Sequence, residues 1–420
     1  MTKALPLLFF VSFNWDTPPC GNMFYNERNK RNLEEVEKVK FIHTADWHLG
    51  KLVHGIYMTE YQREVLNQFI EAVEEEKPDA VVIAGDLYDR SVPPIDAVNL
   101  LDEVLFRLNV ELKTPIISIA GNHDSADRLS FGSSWYKQSQ FYLSGKLTDS
   151  FKPIHINGVN FYLAPYAEPG VVKELLDDPT IHTHHDATKA IIGKIEETIN
   201  PNEPNIFVGH AFVTGGQSCD SERLLSVGAS GCVGAELFAP FSYTALGHLH
   251  SPEAIRHNTI KYSGSLLKYS FSEAKHKKGI SIIEMENDGS FNHRFRPLTP
   301  KQDMRELQGY IDELLDPSFY EKQKCDDFLK VTLLDEGSLI DPMGKLRQVY
   351  PNVLHMEKRI DALDQKRKQS FSIGESRQKK SELELFEQFY QEMTSSEFTE
   401  EKRSIISSVI ETAVKEEVPV

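Results

Sequence analysis

From Val39 to about Leu267, short apolar runs alternate with longer segments whose apolar residues recur at helical spacing. Residues 39–45, 80–84, 116–120, 205–208 and 243–246 are such runs, and each predicts a strand. Residues 59–76 carry Leu66, Phe69, Ile70 and Val73 on one helical face. Residues 95–108 repeat the pattern with Val98, Leu101, Leu105 and Leu108, entered through Pro93-Pro94, where proline suits a helix start. Alternation of this kind predicts a layered α/β sandwich.

The pattern changes after Gly279. Residues 279–286 and 291–298 read as two strands around an Asn287-Asp288-Gly289 turn. Residues 304–315 read as a helix and 328–334 as a further strand, making a small α+β unit that ends near Arg359. Residues 365–380 are polar and basic and read as a linker. Two amphipathic helices finish the chain. Leu383, Phe386 and Tyr390 share a face with Phe389 and Met393 beside them, and after Thr394-Ser395-Ser396 a second helix aligns Ile406, Ile410 and Ala413. Thr399 suits its cap, with Glu400 and Glu401 in the first turn. Such a stripe either packs back on the body or docks on a partner. Residues 1–38 look foreign to the rest: residues 5–13 are apolar, no small-x-small cleavage site follows, and an extension or a true start at Met23 is the expectation.

Composition narrows the class. The chain has 420 residues, 40% hydrophobic and 26% charged, with no apolar run long enough to span a bilayer, so no membrane partner is expected. Its four cysteines form no C-x-x-C pair, which fits a reducing, cytoplasmic setting. The net charge of −17 argues against a protein that grips a polyanion alone. Bound cations can still supply positive charge where phosphate sits.

Chemistry concentrates where the runs end. Asp46-Trp47-His48, Gly85-Asp86, Gly121-Asn122-His123-Asp124, Gly209-His210 and Gly247-His248-Leu249-His250 each follow a predicted strand. Groups at the carboxyl ends of neighbouring strands converge on one crevice in an open α/β sheet. Two divalent ions about 3.5–4 Å apart can clamp a phosphate and stabilise an in-line displacement. That requires a carboxylate between the ions, for which Asp86 is the best placed. Asp46 and His48 can face one ion together, Asn122 offers a neutral oxygen, and His210, His248 and His250 add imidazoles. Such a mixed set suits Mn²⁺, Fe or Zn better than an all-oxygen Mg²⁺ cage. His123 can reach the phosphate as general acid or donor, with Asp124 orienting its ring.

Taken singly, each strand-end residue is ordinary turn or core chemistry. Five elements presenting ligand types at one edge are not. His182, His184 and His185 follow no strand and read as a solvated loop, and His43 as a packed strand residue.

The series D-x-H, G-D, G-N-H-D, G-H and G-H-x-H resembles the calcineurin-like metallophosphoesterase superfamily. Residues 43–51 (HTADWHLGK), 84–89 (AGDLYD), 263–266 (SGSL) and 269–273 (YSFSE) are similar, within it, to the SbcD family, nuclease subunits of bacterial SbcCD complexes and relatives of the Mre nucleases. The resemblance implies an α/β fold: a four-layer-type β-sandwich nuclease domain over 39–274, an α+β capping domain over 275–360, a basic linker over 361–382 and a helical partner-docking segment over 383–420. It implies that Asp46, His48, Asp86 and His250 hold one ion and Asp86, Asn122, His210 and His248 the other. The ions expected are Mn²⁺, with Mg²⁺ or Fe as alternatives, and His123 is the catalytic histidine. It implies substrate contacts at Tyr269, Ser270 and Lys275, and partner contacts at Leu383, Phe386, Phe389, Tyr390, Ile406 and Ile410. Archaeal and eukaryotic relatives carry a further histidine where this chain has Asp89. The implied activity is 3′–5′ exonuclease on double strands and endonuclease on single strands and hairpins, in DNA repair, recombination and replication. The implied partner is an SbcC-type coiled-coil ATPase in a two-plus-two assembly, with self-pairing through residues 95–108 and 128–136. No G-x-x-x-x-G-K-[ST] occurs, so ATP would enter only through that partner. A small-molecule phosphoesterase of the same fold and a non-catalytic scaffold are the competing readings.

Overall fold

The computed structural model describes residues 38–148, 151–223, 231–359, 381–394 and 397–416. The N-terminal extension and the basic 365–380 stretch lie outside the described residues.

Two sheets face each other. The first has six strands in the order Phe291–Pro297, Gly279–Met285, Val39–Thr44, Ala80–Ala84, Ile116–Ile119 and Phe141–Ser144. Its last four strands run parallel, and the Gly279–Met285 strand pairs antiparallel with Val39–Thr44. The second has five strands in the order Ile260–Tyr262, Tyr243–Gly247, Asn205–His210, Val159–Ala164 and Ile154–Ile156, parallel apart from the last.

Packing follows from the composition of the runs. Strands covered on both faces read as continuous apolar stretches, and residues 80–84 and 205–210 are buried at every position. Phe41, Val82, Ile117 and Ile119 of the first sheet meet Phe161, Ile206, Val208 and Tyr243 of the second. Outside the first sheet lie helices Thr59–Glu76 and Ile95–Phe106, which bury Leu66, Phe69, Val73, Leu101 and Val104. Outside the second lie Pro169–Leu176 and His184–Glu196, which bury Val172, Ile191 and Ile195. The result is a four-layer α/β/β/α sandwich: the alternation predicts its α/β layering, and the family resemblance implies its four layers.

Three expectations change. The hairpin at 279–297 was expected in the capping unit, but it completes the first core sheet, because residues 281–285 pair with residues 39–43. Residues 304–315 were expected as one helix. They form the strand Met304–Gly309 followed by the short helix Ile311–Leu314. The segment is rich in helix formers, but parallel pairing with Phe328–Leu333 buries Met304 and Leu307, and tertiary context overrides the propensity. The His182–His185 segment is not a solvated loop. Thr183 caps a helix that starts at His184, and His184 is buried.

What remains of the unit expected there is a three-stranded parallel sheet, Met304–Gly309, Phe328–Leu333 and Val353–Lys358, with its own core around Leu329, Val331, Leu346 and Tyr350. Tyr61 and Phe328 meet edge to face at 5.1 Å, and Lys268 Nζ donates to Asp303 Oδ2 at 2.9 Å, which ties this unit to the sandwich.

Helices Glu382–Thr394 and Glu400–Glu416 close on each other around Phe398, which packs against Phe386 and Tyr390. An Arg403–Glu387 ion pair and a Lys402–Tyr390 hydrogen bond of 2.7 Å hold the pair. Phe386 and Tyr390, expected as partner contacts, are thus engaged within the hairpin, while Leu383, Ile406 and Ile410 are half-buried. Among the described residues of the two helices, Leu385, Phe389, Ile405 and Val409 are the large apolar side chains that are exposed. Among the described residues no helix is long and apolar enough to cross a membrane.

Candidate metal centre

The carboxyl ends of both sheets converge at one edge, and the polar residues that follow the strands meet there. Their loops are held by backbone bonds rather than regular structure: Asp46 N–H donates to Gly85 carbonyl at 3.1 Å and His48 N–H to Asp86 carbonyl at 3.0 Å. Asp46, His48, Asp86 and His248 all adopt positive φ, 54°, 46°, 50° and 105°. Such conformations cost on the order of 1–3 kcal/mol each in non-glycine residues and persist at functional sites, where the surroundings over-determine them.

Asp86 lies at the middle of the cluster. Its Oδ2 is 3.6 Å from His48 Nε2 on one side and 3.3 Å from His210 Nε2 on the other, while Oδ1 accepts the His123 N–H at 2.9 Å. His48 Nε2 faces His250 Nε2 at 3.0 Å. Asn122 Oδ1 lies 2.9 Å from His210 Nε2 and 3.2 Å from His248 Nδ1. Asp46 Oδ1 accepts the His248 N–H at 2.9 Å. The structure thus brings together all seven residues expected as ligands.

Electrostatics show what the cluster is suited to hold. Burial lifts the Asp46 carboxyl well above the usual carboxylate range, against the pull of His210. Burial also acts on Asp86, but the imidazoles of His210, His48 and His123 outweigh it and hold Asp86 well below that range. His210 is the counterpart: burial pulls it down, and Asp86 carries it up to about 9. Burial drives His48 well below the ordinary histidine value and His248 to about 3, so both stay neutral with lone pairs available. Asp46 Oδ2 and His48 Nδ1 are buried without a hydrogen-bond partner. Orphaned polar atoms are costly, and two facing imidazole nitrogens with two carboxylates suit cations. Asp46, His48 and His250 form one group whose ligand atoms lie within 4.8 Å of one another, and Asp46, Asp86 and His210 form a second. The donor set fits two divalent ions.

Several expected roles change. Asp124 does not orient His123. Its carboxylate accepts backbone N–H groups of Gly121, Leu87 and Tyr88 at 2.9–3.1 Å and so clamps two loops together. The His123 ring is oriented instead by the Asp89 carbonyl, 2.8 Å from Nδ1. Tyr269 is not open to substrate: it is only 4% exposed, its hydroxyl donates to Trp47 carbonyl at 2.6 Å, and its ring meets those of His48 and His250 edge-on. Ser270 is turned to Glu273 and Ser272, and Lys275 is exposed. Asp89 pairs with Lys51 at 2.7 Å and lies 3.6 Å from His48 Nδ1.

Other contributors were not foreseen. Gln62, fully buried, donates to the carbonyls of Trp47 and His48 and accepts from Gly50 N–H. A polar residue on the stripe of Leu66, Phe69 and Val73 was the available signal. Glu273 and Lys278 form a buried pair at 2.5 Å. Ser221 and Glu222 reach His250 from a loop that no apolar pattern marks.

A family model described as calcineurin-like phosphoesterase matches residues 39–252, more than half of the chain. A second, SbcD_C, described as the Type 5 capsule protein repressor C-terminal domain, matches residues 300–394. Among solved structures, TT1561 of Thermus thermophilus is 12% identical with a TM-score of 0.37. A dimetal phosphatase from Danio rerio is 12% identical with a TM-score of 0.33. Each alignment covers 62% of this chain and 99% of the other. The chain belongs to the calcineurin-like phosphoesterase family, with an SbcD-type domain following its phosphoesterase domain, and is a metal-dependent phosphoesterase.

Proposed function

We propose that the chain is a two-metal DNA nuclease subunit that works in the cytoplasm with a coiled-coil ATPase in DNA repair, recombination and replication. The observation that carries the DNA reading is the SbcD-type domain joined to the phosphoesterase sandwich. Asp46, His48, Asp86 and His250 would hold one ion, and Asp86, Asn122, His210 and His248 the other, with Mn²⁺ suited to this mixture of imidazole and carboxylate. When bound, the ions supply a nucleophile at neutral pH and neutralise charge on the phosphate.

The rest falls to the protein. Asp86, held by His123 N–H and flanked by His48 and His210, keeps the two ligand groups in register. A carbonyl only accepts, so His123 Nδ1 donates to Asp89 and Nε2 is the atom left to exchange a proton with the substrate. The exposed Lys275 would meet the phosphate backbone. The negative net charge leaves DNA grip to a partner, and the exposed Leu385, Phe389, Ile405 and Val409 of the terminal hairpin support docking on a coiled coil. Phe106, Val110 and Phe131 line one groove beside helix Ile95–Phe106, with exposed Trp135 against Phe131, which supports self-pairing there.

The test is Mn²⁺-dependent cleavage of hairpin and linear duplex DNA beside a cyclic nucleotide, for the wild type and Asp86→Asn. Cleavage of DNA that Asp86→Asn abolishes supports the reading. Turnover of the cyclic nucleotide alone would replace it with a small-molecule phosphodiesterase.

A further inference from the structure

His250 turns Nε2 toward His48, and its other ring nitrogen points out of the cluster into a buried polar chain. Nδ1 lies 2.8 Å from Ser221 Oγ, and Ser221 Oγ lies 2.5 Å from Glu273 Oε1. The same oxygen of Glu273 accepts the Tyr269 N–H at 3.1 Å, and Oε2 accepts from Lys278 Nζ at 2.5 Å. Ser270 Oγ and Ser265 Oγ donate to the same carboxylate, at 3.1 and 3.5 Å, and a carboxylate paired with Lys278 is an acceptor only, so the Ser221 proton goes to Glu273. The serine oxygen then accepts from His250, which places the ring proton on Nδ1 and leaves the lone pair on Nε2. The main chain of His250 is held as well: its N–H donates to Glu222 Oε1 at 2.7 Å, and its carbonyl accepts from Lys278 Nζ at 2.7 Å.

Glu273 is fully buried and Lys278 nearly so. A buried ion pair is no better for stability than apolar residues of the same volume. The pair needs another reason to exist: Glu273 Oε1 holds Ser221, and Lys278 Nζ holds the His250 carbonyl.

We infer that Ser221 and Glu273, backed by Lys278, are positioning residues that lock His250 in the Nδ1–H tautomer and aim Nε2 at the metal centre. The ring partner of a metal-binding histidine fixes tautomer and orientation, and losing it typically weakens metal affinity about 10–100-fold. The inference rests on the reading of His250 as a ligand. Ser221 comes from a loop, not from a strand end, so the strength of one ion site is set by a segment outside the convergent strands.

The experiment is calorimetric titration of the metal-free full chain with Mn²⁺, beside its melting temperature without metal. Ser221→Ala is expected to weaken one of two ions about 10–100-fold with the metal-free melting temperature unchanged. Ser221→Thr, which keeps the hydroxyl, should return to within a few-fold of wild type. In ¹⁵N spectra, His250, identified by its loss in His250→Gln, should change from a single Nδ1–H tautomer to a mixture in Ser221→Ala. Unchanged Mn²⁺ affinity in Ser221→Ala, or an equal loss in Ser221→Thr, would overturn the relay. His250→Gln separates the two levels: retention of both ions would overturn the ligand reading itself, whereas loss of one ion beside a normal Ser221→Ala would overturn the relay alone.

Discussion

Gly121→Ala should disable the centre without touching a ligand. Gly121 opens the Gly-Asn-His-Asp turn, and its backbone is not left-handed, so an alanine is acceptable there on conformational grounds. Space is the obstacle. A Cβ at Gly121 would lie 2.7 Å from Cγ of Asp86 and closer still to its Oδ1 and backbone nitrogen. Ordinary contact begins at 3.4 Å, so clearing the Asp86 backbone nitrogen and Oδ1 requires the two loops to part by about 1 Å. Asp86 has nowhere to retreat, since Oδ1 holds His123 N–H, Oδ2 faces His210 and the carbonyl holds His48 N–H. Overpacking of this kind costs about 1–3 kcal/mol, which lowers the melting temperature by several degrees in a chain this long. The catalytic effect is larger, because a misplacement of about 1 Å can cost on the order of 10²-fold. The expected loss is therefore about 10–100-fold in kcat on bis(p-nitrophenyl) phosphate, measured at saturating Mn²⁺ well below the melting temperature. Gly193→Ala is the control: it sits in the last turn of the helix His184–Glu196 with nothing within 4 Å of its Cβ and should add up to about 1 kcal/mol of stability with activity unchanged. Wild-type turnover by Gly121→Ala would refute the claim that Asp86 must stand where it does.

His123→Gln should keep both ions by calorimetry while slowing cleavage about 10²-fold or more, as expected for loss of a proton-transfer group; loss of metal as well would make His123 a ligand. His43 is fully buried and pushed by desolvation from 6.5 to about 3, its Nδ1 beside the Tyr243 hydroxyl. The unfolded chain therefore takes up a proton below about pH 6.5 that the folded chain refuses. Stability from this residue is complete above that pH and falls by up to about 1.4 kcal/mol per unit as pH drops toward 3. Urea titrations of His43→Gln should show a shallower acid slope than wild type, and identical slopes would contradict the burial account. Phe389→Asp with Val409→Asp should abolish co-purification with the coiled-coil ATPase and leave the melting temperature of the isolated subunit within a few degrees, whereas Phe386→Asp should unfold the hairpin. Phe131→Glu with Trp135→Glu should give a monomer by light scattering.

The strands and the metal ligands were legible because they obey local rules. Residues 80–84 are apolar throughout, and 116–120 apart from Ser118, since both faces of those strands are covered, and a ligand following each strand marks the edge where parallel strands end together. The Met304–Gly309 strand was not legible: its residues favour a helix when read alone, and only the neighbouring Phe328–Leu333 ladder makes it extended. The 279–297 hairpin was readable as a hairpin, yet which sheet it joins depends on an edge some 240 positions earlier in the chain.

Sequence by itself determined the seven metal-binding candidates, the catalytic candidate His123 and the layered α/β class, since period, strand-end position and ligand chemistry are written in consecutive residues. Tertiary structure alone decided what supports them. Tyr269 packs against His48 and His250 with its hydroxyl on the Trp47 carbonyl, Asp124 binds backbone and not His123, and Ser221, Glu273 and Lys278 converge on His250 from separate segments. Such partners are chosen by distance across the fold, and hydrogen bonds between residues dozens of positions apart leave no periodic trace along the chain.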